Sequence, residues 1–191
     1  MELIAEIGKV AGSEVEVKNQ AFDGLLPALQ SGKIDLIIAG MTVTDERKKA
    51  VDFSESYYTA SQVIIVPADN AAIKSFDDLK GKNVGVQIGT TGDTVISEIK
   101  EITNTKYNNG SEAVLALTTQ KVDAVVIDNE PAKNFVAKNT GLKVVDTGAV
   151  KEDYAIAIAK GNKELLDKVN TGLKTLKENG KYDELIAKWF K

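Results

Sequence analysis

The sequence predicts an α/β fold with mostly parallel sheets. Two observations predict it: short apolar strands alternate with segments of helical spacing, and several of those strands are apolar on both faces. A strand that is buried on both faces is typical of a parallel sheet covered by helices. Because the alternation occurs in two similar blocks, we expect two lobes.

The first block begins with a helix, because the apolar residues of 3–11 fall on one helical face. Apolar and charged residues alternate over 15–18, which predicts a short strand. Asp23 is the expected cap of a helix over 25–29. The apolar run 34–39 predicts a strand that is buried on both faces.

The second block repeats this pattern, and two helices over 165–176 and 182–190 close the chain. Ser111 is the expected cap of one helix, and Pro131 marks the start of another. The predicted strands of this part are 63–66, 83–88, 122–127, 142–145 and 154–159.

Composition excludes several classes of function. The chain has 24 basic and 28 acidic residues, so we expect no nucleic-acid partner. It has no cysteine and no histidine, which excludes disulfides, thiolate nucleophiles, Ser-His-Asp triads and Cys- or His-ligated metals. We therefore expect no cofactor and no metal, and a binding protein is favoured over an enzyme. Neither a membrane-spanning apolar run nor a signal-peptide pattern occurs in these residues.

Polar residues follow the predicted buried strands, where ligands bind in open α/β sheets. Arg47 follows strand 34–39 near the expected start of a helix capped by Thr44. A cation is unfavourable at that end of a helix, so Arg47 indicates a carboxylate partner that its guanidinium grips in two parallel bonds. The alternative is a surface arginine that pairs with a neighbouring acid.

The segment after strand 83–88 also suits an anion. Backbone N–H groups at a helix start attract negative charge, and the hydroxyls of Thr90 and Thr91 add donors. The alternative is an ordinary turn in which a threonine or Asp93 caps the helix. A nucleotide phosphate-binding loop is excluded, because no Gly-Lys-Ser/Thr follows.

Two further residues complete the pattern. Asp128 ends strand 122–127 and suits an ammonium group, although it can equally cap the helix at Pro131. Phe22 is placed to wall an apolar slot, or is a plain core residue. An arginine, a threonine-lined helix start and an acid together complement an α-amino acid.

The sequence resembles the polar amino-acid-binding proteins of ABC importers, along essentially the whole chain. The segments that carry the resemblance are 22–35, 39–47, 51–58, 86–91, 123–128 and 180–190. The resemblance implies a type II periplasmic-binding-protein fold, with one lobe over 1–66 plus 154–191 and the other over 67–153. It also implies delivery to ABC importer membrane subunits, in the periplasm or on a lipid-anchored cell-surface protein.

The resemblance further implies roles for individual residues. Arg47 would clamp the α-carboxylate of the ligand, and Thr42 and the backbone of Thr91 would also reach it. Asp128 would take the α-ammonium, helped by a backbone carbonyl near Gly40. Phe22 would flank the side chain of the ligand, and Gln87 lies where the family varies with the ligand. The expected ligand is a polar or basic amino acid of the glutamine or arginine type.

One departure from the family pattern concerns the first strand. Family members carry a strand before the first helix, between the strands that correspond to 15–18 and 34–39, and this sequence does not contain it. Loss of a central strand exposes two sheet edges. We therefore expect a rearranged first lobe or a strand-swapped homodimer, and weakened amino-acid binding.

Two alternatives stay open at this point. The same fold resembles that of cyclohexadienyl dehydratases, in which acidic cleft residues assist elimination, and Glu130 is a candidate acid. Turnover of prephenate or arogenate would distinguish that enzyme from a binding protein. The other alternative is an engineered truncation that serves as a folding or evolution model.

Overall fold

The chain forms two compact units in a computed structural model that describes residues 1–190. Unit 1 consists of Met1–Gln20, Gly24–Thr59 and the chain from Asp153 onward, and unit 2 of Ala21–Asp23 and Ala60–Glu152. The division therefore falls at 59/60 and 152/153, ahead of the expected lobe limits at 66/67 and 153/154.

Helices and strands alternate as the sequence predicts, and the α/β class is confirmed. The helices are α1 (Glu2–Ala11), α2 (Leu25–Gln30), α3 (Asp45–Ala50), α4 (Thr91–Glu98), α5 (Gly110–Thr118), α6 (Asn129–Lys138), α7 (Lys163–Glu178) and α8 (Lys181–Trp189). The strands are β1 (Leu36–Ile37), β2 (Val51–Pro67), β3 (Asn83–Gln87), β4 (Thr103–Tyr107), β5 (Ala124–Asp128), β6 (Leu142–Val145) and β7 (Lys151–Ala159). No helix among the described residues is long and apolar enough to cross a membrane.

The sheet of unit 2 is mixed rather than mostly parallel. Strand β3 pairs in parallel with β4 and β5, whereas β2 pairs antiparallel with β5 and β6. The expectation of mostly parallel sheets was wrong. An apolar run indicates that both faces of a strand are covered, but it does not indicate whether the neighbouring strand is parallel or antiparallel.

The apolar run in β2 fills two cores, one on each face of the unit 2 sheet. Val63 and Ile65 belong to the core that also contains residues of α5. Ile64 and Val66 belong to the core that contains Ile96 of α4. Successive side chains of a strand point to opposite faces, and both faces here are covered, so the run needs no polar alternation.

Of the two strands that the sequence predicts at the start of unit 1, one does not form and the other is shortened. Residues 13–21 form neither helix nor strand, so the predicted strand 15–18 is wrong. The predicted strand 34–39 shrinks to β1, which pairs antiparallel with β7 over two residue pairs. A cavity of about 870 Å³ is lined by both stretches. Alternation alone does not make a strand, because a ladder also needs a neighbouring backbone to accept its hydrogen bonds.

Helix starts follow capping chemistry, with two corrections to the sequence-based expectations. Thr44 caps α3 as expected, since its hydroxyl accepts the backbone N–H of Arg47 at 3.2 Å. Asn109, not Ser111, caps α5, and Gly24, not Asp23, precedes α2. Residues 22–24 instead form a 3₁₀ turn.

Candidate functional site

The residues singled out from the sequence are distributed over both units. Gly40, Thr42 and Arg47 belong to unit 1. The remaining candidates belong to unit 2, and they are Phe22, Gln87, Thr90, Thr91 and Asp128. We describe the two groups separately.

In unit 1, β7 anchors the segment that carries the candidate residues. The backbone N–H of Val43 donates to the carbonyl of Asp153 at 2.9 Å, and that of Ala155 donates to Met41 at 3.2 Å. Thr42 pairs with Tyr154 in an antiparallel bridge and is only 4% exposed. This segment is therefore fixed by main-chain bonds just before α3 begins.

Arg47, the only arginine of the 191 residues, folds back over that segment. Its Nη1 donates to the backbone carbonyl of Thr42 at 2.8 Å, while its backbone N–H donates to the capping hydroxyl of Thr44. One contact orients the side chain and the other orients the main chain. A guanidinium has five N–H donors in a rigid, planar fork, and this is the geometry that matches a carboxylate.

Gly40 lies against the ring of Tyr154. A Cβ built on Gly40 would lie 3.2 Å from the Cζ and hydroxyl of Tyr154, tighter than ordinary contact. The ring centroid of Tyr57 lies 6.4 Å from that of Tyr154. The Tyr57 hydroxyl donates its proton to the carbonyl of Ala39. Burial raises the pKa of Tyr57, so this phenol stays a neutral donor. The main chain at Gly40 is thus held by aromatic rings on one side.

In unit 2, the turn between β3 and α4 is held by a buried carboxylate. Gly89 has φ +78°, a left-handed conformation that favours glycine, and its N–H donates to Asp93 at 3.1 Å. Asp93 also accepts from Lys106 at 2.9 Å and from Asn104 at 3.0 Å. Burial raises the pKa of Asp93, but the hydrogen bonds from Lys106, Gly89 and Asn104 outweigh it, so the net shift is downward.

Thr90 and Thr91 have different roles. Thr90 caps α4, as its hydroxyl accepts the N–H of Asp93 at 3.3 Å and donates to the carbonyl of Gln87 at 2.8 Å. The capping alternative therefore holds for Thr90. Thr91 instead donates its hydroxyl proton to Glu152 at 2.6 Å and accepts from Gln62 at 2.9 Å.

Asp128 stands at the N-cap position of α6, but its side chain makes no capping hydrogen bond. It faces Gln62 across the β2–β5 ladder, and its carboxylate accepts from the Gln62 amide. The alternative in which Asp128 serves as a helix cap is therefore wrong. Its carboxylate belongs to a polar cluster of Gln62, Thr91, Asp128 and Glu152.

Sequence reasoning missed Gln62 and Glu152. Gln62 is 3% exposed and directly precedes the apolar run of β2, so a polar residue at the edge of a buried run was the available signal. Glu152 offers no signal of its own, because its place in the cluster arises from β7, which starts at Lys151.

The remaining candidates lie outside this four-residue polar cluster. Phe22 is half-buried in its 3₁₀ turn, so it is not a fully enclosed core residue. Gln87 ends β3, and its amide donates to the carbonyl of Asn108 at 3.4 Å. Glu130, the candidate acid of the enzymatic alternative, is 7% exposed and pairs with Lys133 at 2.7 Å.

No group of three or more acidic side chains among residues 1–190 is arranged to hold a metal ion. The polar cluster of unit 2 is instead suited to a cation that carries N–H donors, since Asp128 and Glu152 offer carboxylate acceptors.

Comparison with known proteins gives consistent matches along the chain. The model of the bacterial extracellular solute-binding proteins, family 3, matches residues 1–191. A probable histidine-binding protein of Campylobacter jejuni is 38% identical over 193 residues, covering 98% of this chain and 74% of that protein. An arginine-binding extracellular protein of Bacillus subtilis is 38% identical over 196 residues, covering 100% of this chain and 76% of that protein.

A solved structure gives the same result. An ancestral arginine-binding protein bound to arginine superposes with a TM-score of 0.96 at 47% sequence identity. The match covers 100% of this chain and 86% of that one.

Proposed function

Because the chain belongs to the bacterial extracellular solute-binding proteins of family 3, we propose that it binds a polar or basic L-amino acid. The two relatives named for histidine and arginine, and the arginine-bound ancestral protein, support a basic ligand. We propose arginine as the first ligand to test and glutamine as the second. We also propose that the protein delivers its ligand to an ABC importer. The two units serve as the two lobes.

The observation that carries this proposal is the polar cluster of unit 2. Asp128 and Glu152 place two carboxylates around one buried amide. Carboxylates that share a site repel each other, and a ligand ammonium relieves that repulsion through charge-assisted hydrogen bonds. Asp128 is the proposed acceptor of the α-ammonium.

Unit 1 supplies the complementary charge. Arg47 is held by the Thr42 carbonyl at 2.8 Å, and its guanidinium is the proposed partner of the α-carboxylate. Thr42 and Thr91 add polar contacts, Gly40 contributes a backbone carbonyl, and Phe22 flanks the ligand side chain. Gln87 and Thr90 lie at the end of β3 and the start of α4, where they shape specificity.

Calorimetric titration with arginine, glutamine and histidine tests the proposal. Arg47→Met should weaken arginine binding about 10- to 100-fold, because a hydrogen bond to a charged group contributes roughly 1.5–3 kcal/mol. Lys48→Met is the matched control, since Lys48 lies on the same helix and pairs with the exposed Asp45 at 3.3 Å. Arg47→Met should not alter the affinity for agmatine, which lacks the carboxylate.

Absence of binding for every proteinogenic amino acid would contradict the proposed function. An equal loss of affinity in Arg47→Met and Lys48→Met would contradict the role of Arg47 alone.

We further propose that the protein acts outside the cytoplasmic membrane, in the periplasm or tethered by lipid, and that it is not an enzyme. The family is described as extracellular. The Glu130 carboxylate is paired with Lys133 and also accepts from Asn129 at 3.3 Å, which supports a structural role for it. Turnover of prephenate or arogenate would overturn the non-enzymatic proposal.

The cavity of unit 1 motivates a proposal about assembly. Residues 13–18 line it with apolar and charged side chains in alternation, and Val17 is 51% exposed. We propose that this segment of one copy pairs with the β1 edge of a second copy, giving a strand-swapped homodimer. Light scattering should then give twice the mass of 20.5 kDa, and Val17→Pro should lower it. A monomer at every concentration would exclude the dimer.

A further inference from the structure

Gln62 lies at the centre of the polar cluster of unit 2 and contacts each of its other members. Its Nε2 donates to Asp128 and to the hydroxyl of Thr91 at 2.9 Å. The same nitrogen lies 3.4 and 3.5 Å from the two carboxylate oxygens of Glu152. An amide nitrogen carries two hydrogens, so Gln62 divides two donors among three acceptor groups.

The orientation of this amide is set by charge. The opposite orientation would point Oε1 at the carboxylates of Asp128 and Glu152, which are also acceptors only. In the observed orientation Oε1 is buried, and no donor within residues 1–190 reaches it. An unsatisfied buried acceptor costs free energy, which the bonds to two carboxylates offset.

Gly92, in the first turn of α4, makes room for this arrangement. A Cβ built there would lie 2.9 Å from the Gln62 Oε1 and 3.3 Å from the Val126 carbonyl oxygen. The second neighbour is main chain and cannot move away. A side chain at position 92 would therefore displace the amide of Gln62 from its place between the carboxylates.

We infer that Gln62 is a positioning residue that fixes the Asp128 carboxylate for the ligand ammonium. This inference rests on the proposed function. Because Gln62 and Asp128 are directly opposed in the β2–β5 ladder, the amide reaches the carboxylate across a pair of hydrogen-bonded strands. The same amide separates Asp128 from Glu152, so both carboxylates are held in place before the ligand arrives. A prearranged site loses less entropy on binding.

The test compares two ligands that differ only at the ammonium group. Gln62→Met keeps the length of the side chain and removes its hydrogen bonds. It should weaken arginine binding about 10- to 100-fold, the loss expected for a hydrogen bond to a charged group. It should change the affinity for 5-guanidinopentanoate, which lacks the α-ammonium, by less than about threefold. Gln30→Met, at the exposed end of α2, is the matched control and should bind both ligands as the unsubstituted protein does.

Gly92→Ala provides a second route to the same answer if Gln62→Met fails to fold. It should reduce arginine affinity about 10-fold, with the same sparing of 5-guanidinopentanoate. Equal losses for the two ligands in both variants would overturn the inference, because a merely structural role does not distinguish them. Lack of binding of every proteinogenic amino acid by the unsubstituted protein would overturn the proposed function instead.

Discussion

The two units are built from the same kinds of elements, yet their sheets differ in completeness. In unit 2, β3 pairs with β4 over five residue pairs, and β2 pairs with β5 and with β6 over four each. In unit 1, β1 pairs with β7 over only two residue pairs, an isolated bridge joins Thr42 to Tyr154, and β7 is also hydrogen-bonded to β2. The edge strand of unit 1 is therefore much shorter than the strands of unit 2, and other contacts have to support it.

Helix packing and aromatic contacts add to the strand pairing in unit 1. Helix α1 approaches α7 so closely that a Cβ on Gly172 would lie 2.8 Å from the Cγ2 of Ile7. Tyr58 stacks on Phe190 with ring centroids 4.2 Å apart. The segment before Arg47 is therefore fixed without a long β1, because Met41 and Val43 are hydrogen-bonded to the main chain of β7.

The largest expected effect is on the free energy of unfolding, and it should differ between the cores of the two units. Ile64→Ala should destabilise the protein toward the upper end of about 2–5 kcal/mol, because Ile64 is fully enclosed between the sheet and α4. Ile37→Ala should fall toward the lower end of that range. Ile37 lines the cavity of unit 1, so water and neighbouring groups can occupy part of the vacated space. Urea unfolding followed by circular dichroism measures both variants.

Equal destabilisation by the two substitutions would contradict the comparison. Val10→Ala, on α1 of the same unit, serves as the control, and this exposed position should change stability by less than about 0.5 kcal/mol.

Much of unit 2 could be predicted from the sequence, because its strands are buried on both faces. The run Val63–Val66 and the segment 124–127 are apolar because each strand is covered on both faces. The polar strand β4 was not predicted, since Thr103–Tyr107 has no apolar pattern and is fixed by its pairing with β3. In unit 1 the pattern over 15–18 is present, but no described backbone pairs with it.

The candidate site shows the same limit. Arg47, Thr91 and Asp128 could be singled out because each follows a predicted strand. Gln62 and Glu152 could not, because their contacts depend on the register between β2 and β5 and on the path of β7. A register joins two strands that are far apart in the chain, so the pattern of either strand by itself does not show which of its residues will face each other.

An intermediate effect concerns one ion-paired carboxylate in each unit. Asp93→Asn in unit 2 should cost about 1–3 kcal/mol near neutral pH, because the Asp93 side chain is 9% exposed and accepts from Lys106. Asp52→Asn in unit 1 should cost less than about 1 kcal/mol. Asp52 is more exposed, and its pKa is lowered by the hydrogen bond from Lys160 and then by that from the Gly161 N–H.

The stabilisation by Asp93 and Asp52 should depend on pH. Each carboxyl has a folded-state pKa below its ordinary value, so ionisation stabilises the fold above the unfolded-state pKa of about 3.9. That stabilisation is lost as the pH falls through the folded-state pKa. Thermal unfolding from pH 7 to pH 2 should therefore show each variant converging with the unsubstituted protein in acid. A constant gap would indicate that the loss arises from packing rather than charge.

The smallest effect concerns the surface bonds that join α1 to α8 in unit 1. Glu2 accepts from Lys188 at 2.7 Å and from the indole N–H of Trp189 at 3.1 Å. The hydrogen bond from Lys188, followed by that from Trp189, lowers the pKa of Glu2. Exposed pairs of this kind contribute little to stability, so Glu2→Gln should leave the thermal midpoint unchanged if helix packing, rather than surface charge, holds α1 in place.

The same variant should nevertheless change a spectroscopic signal. Trp189 is the only tryptophan of the chain, so its fluorescence should titrate in acid with the lowered pKa of Glu2, and Glu2→Gln should abolish that titration. Glu6→Gln is the matched control, because Glu6 pairs with Lys9 on the same helix at 2.7 Å and should leave the titration intact. A fall in the thermal midpoint with Glu2→Gln would mean that surface bonds, and not the contact between Ile7 and Gly172, compensate for the short ladder of unit 1.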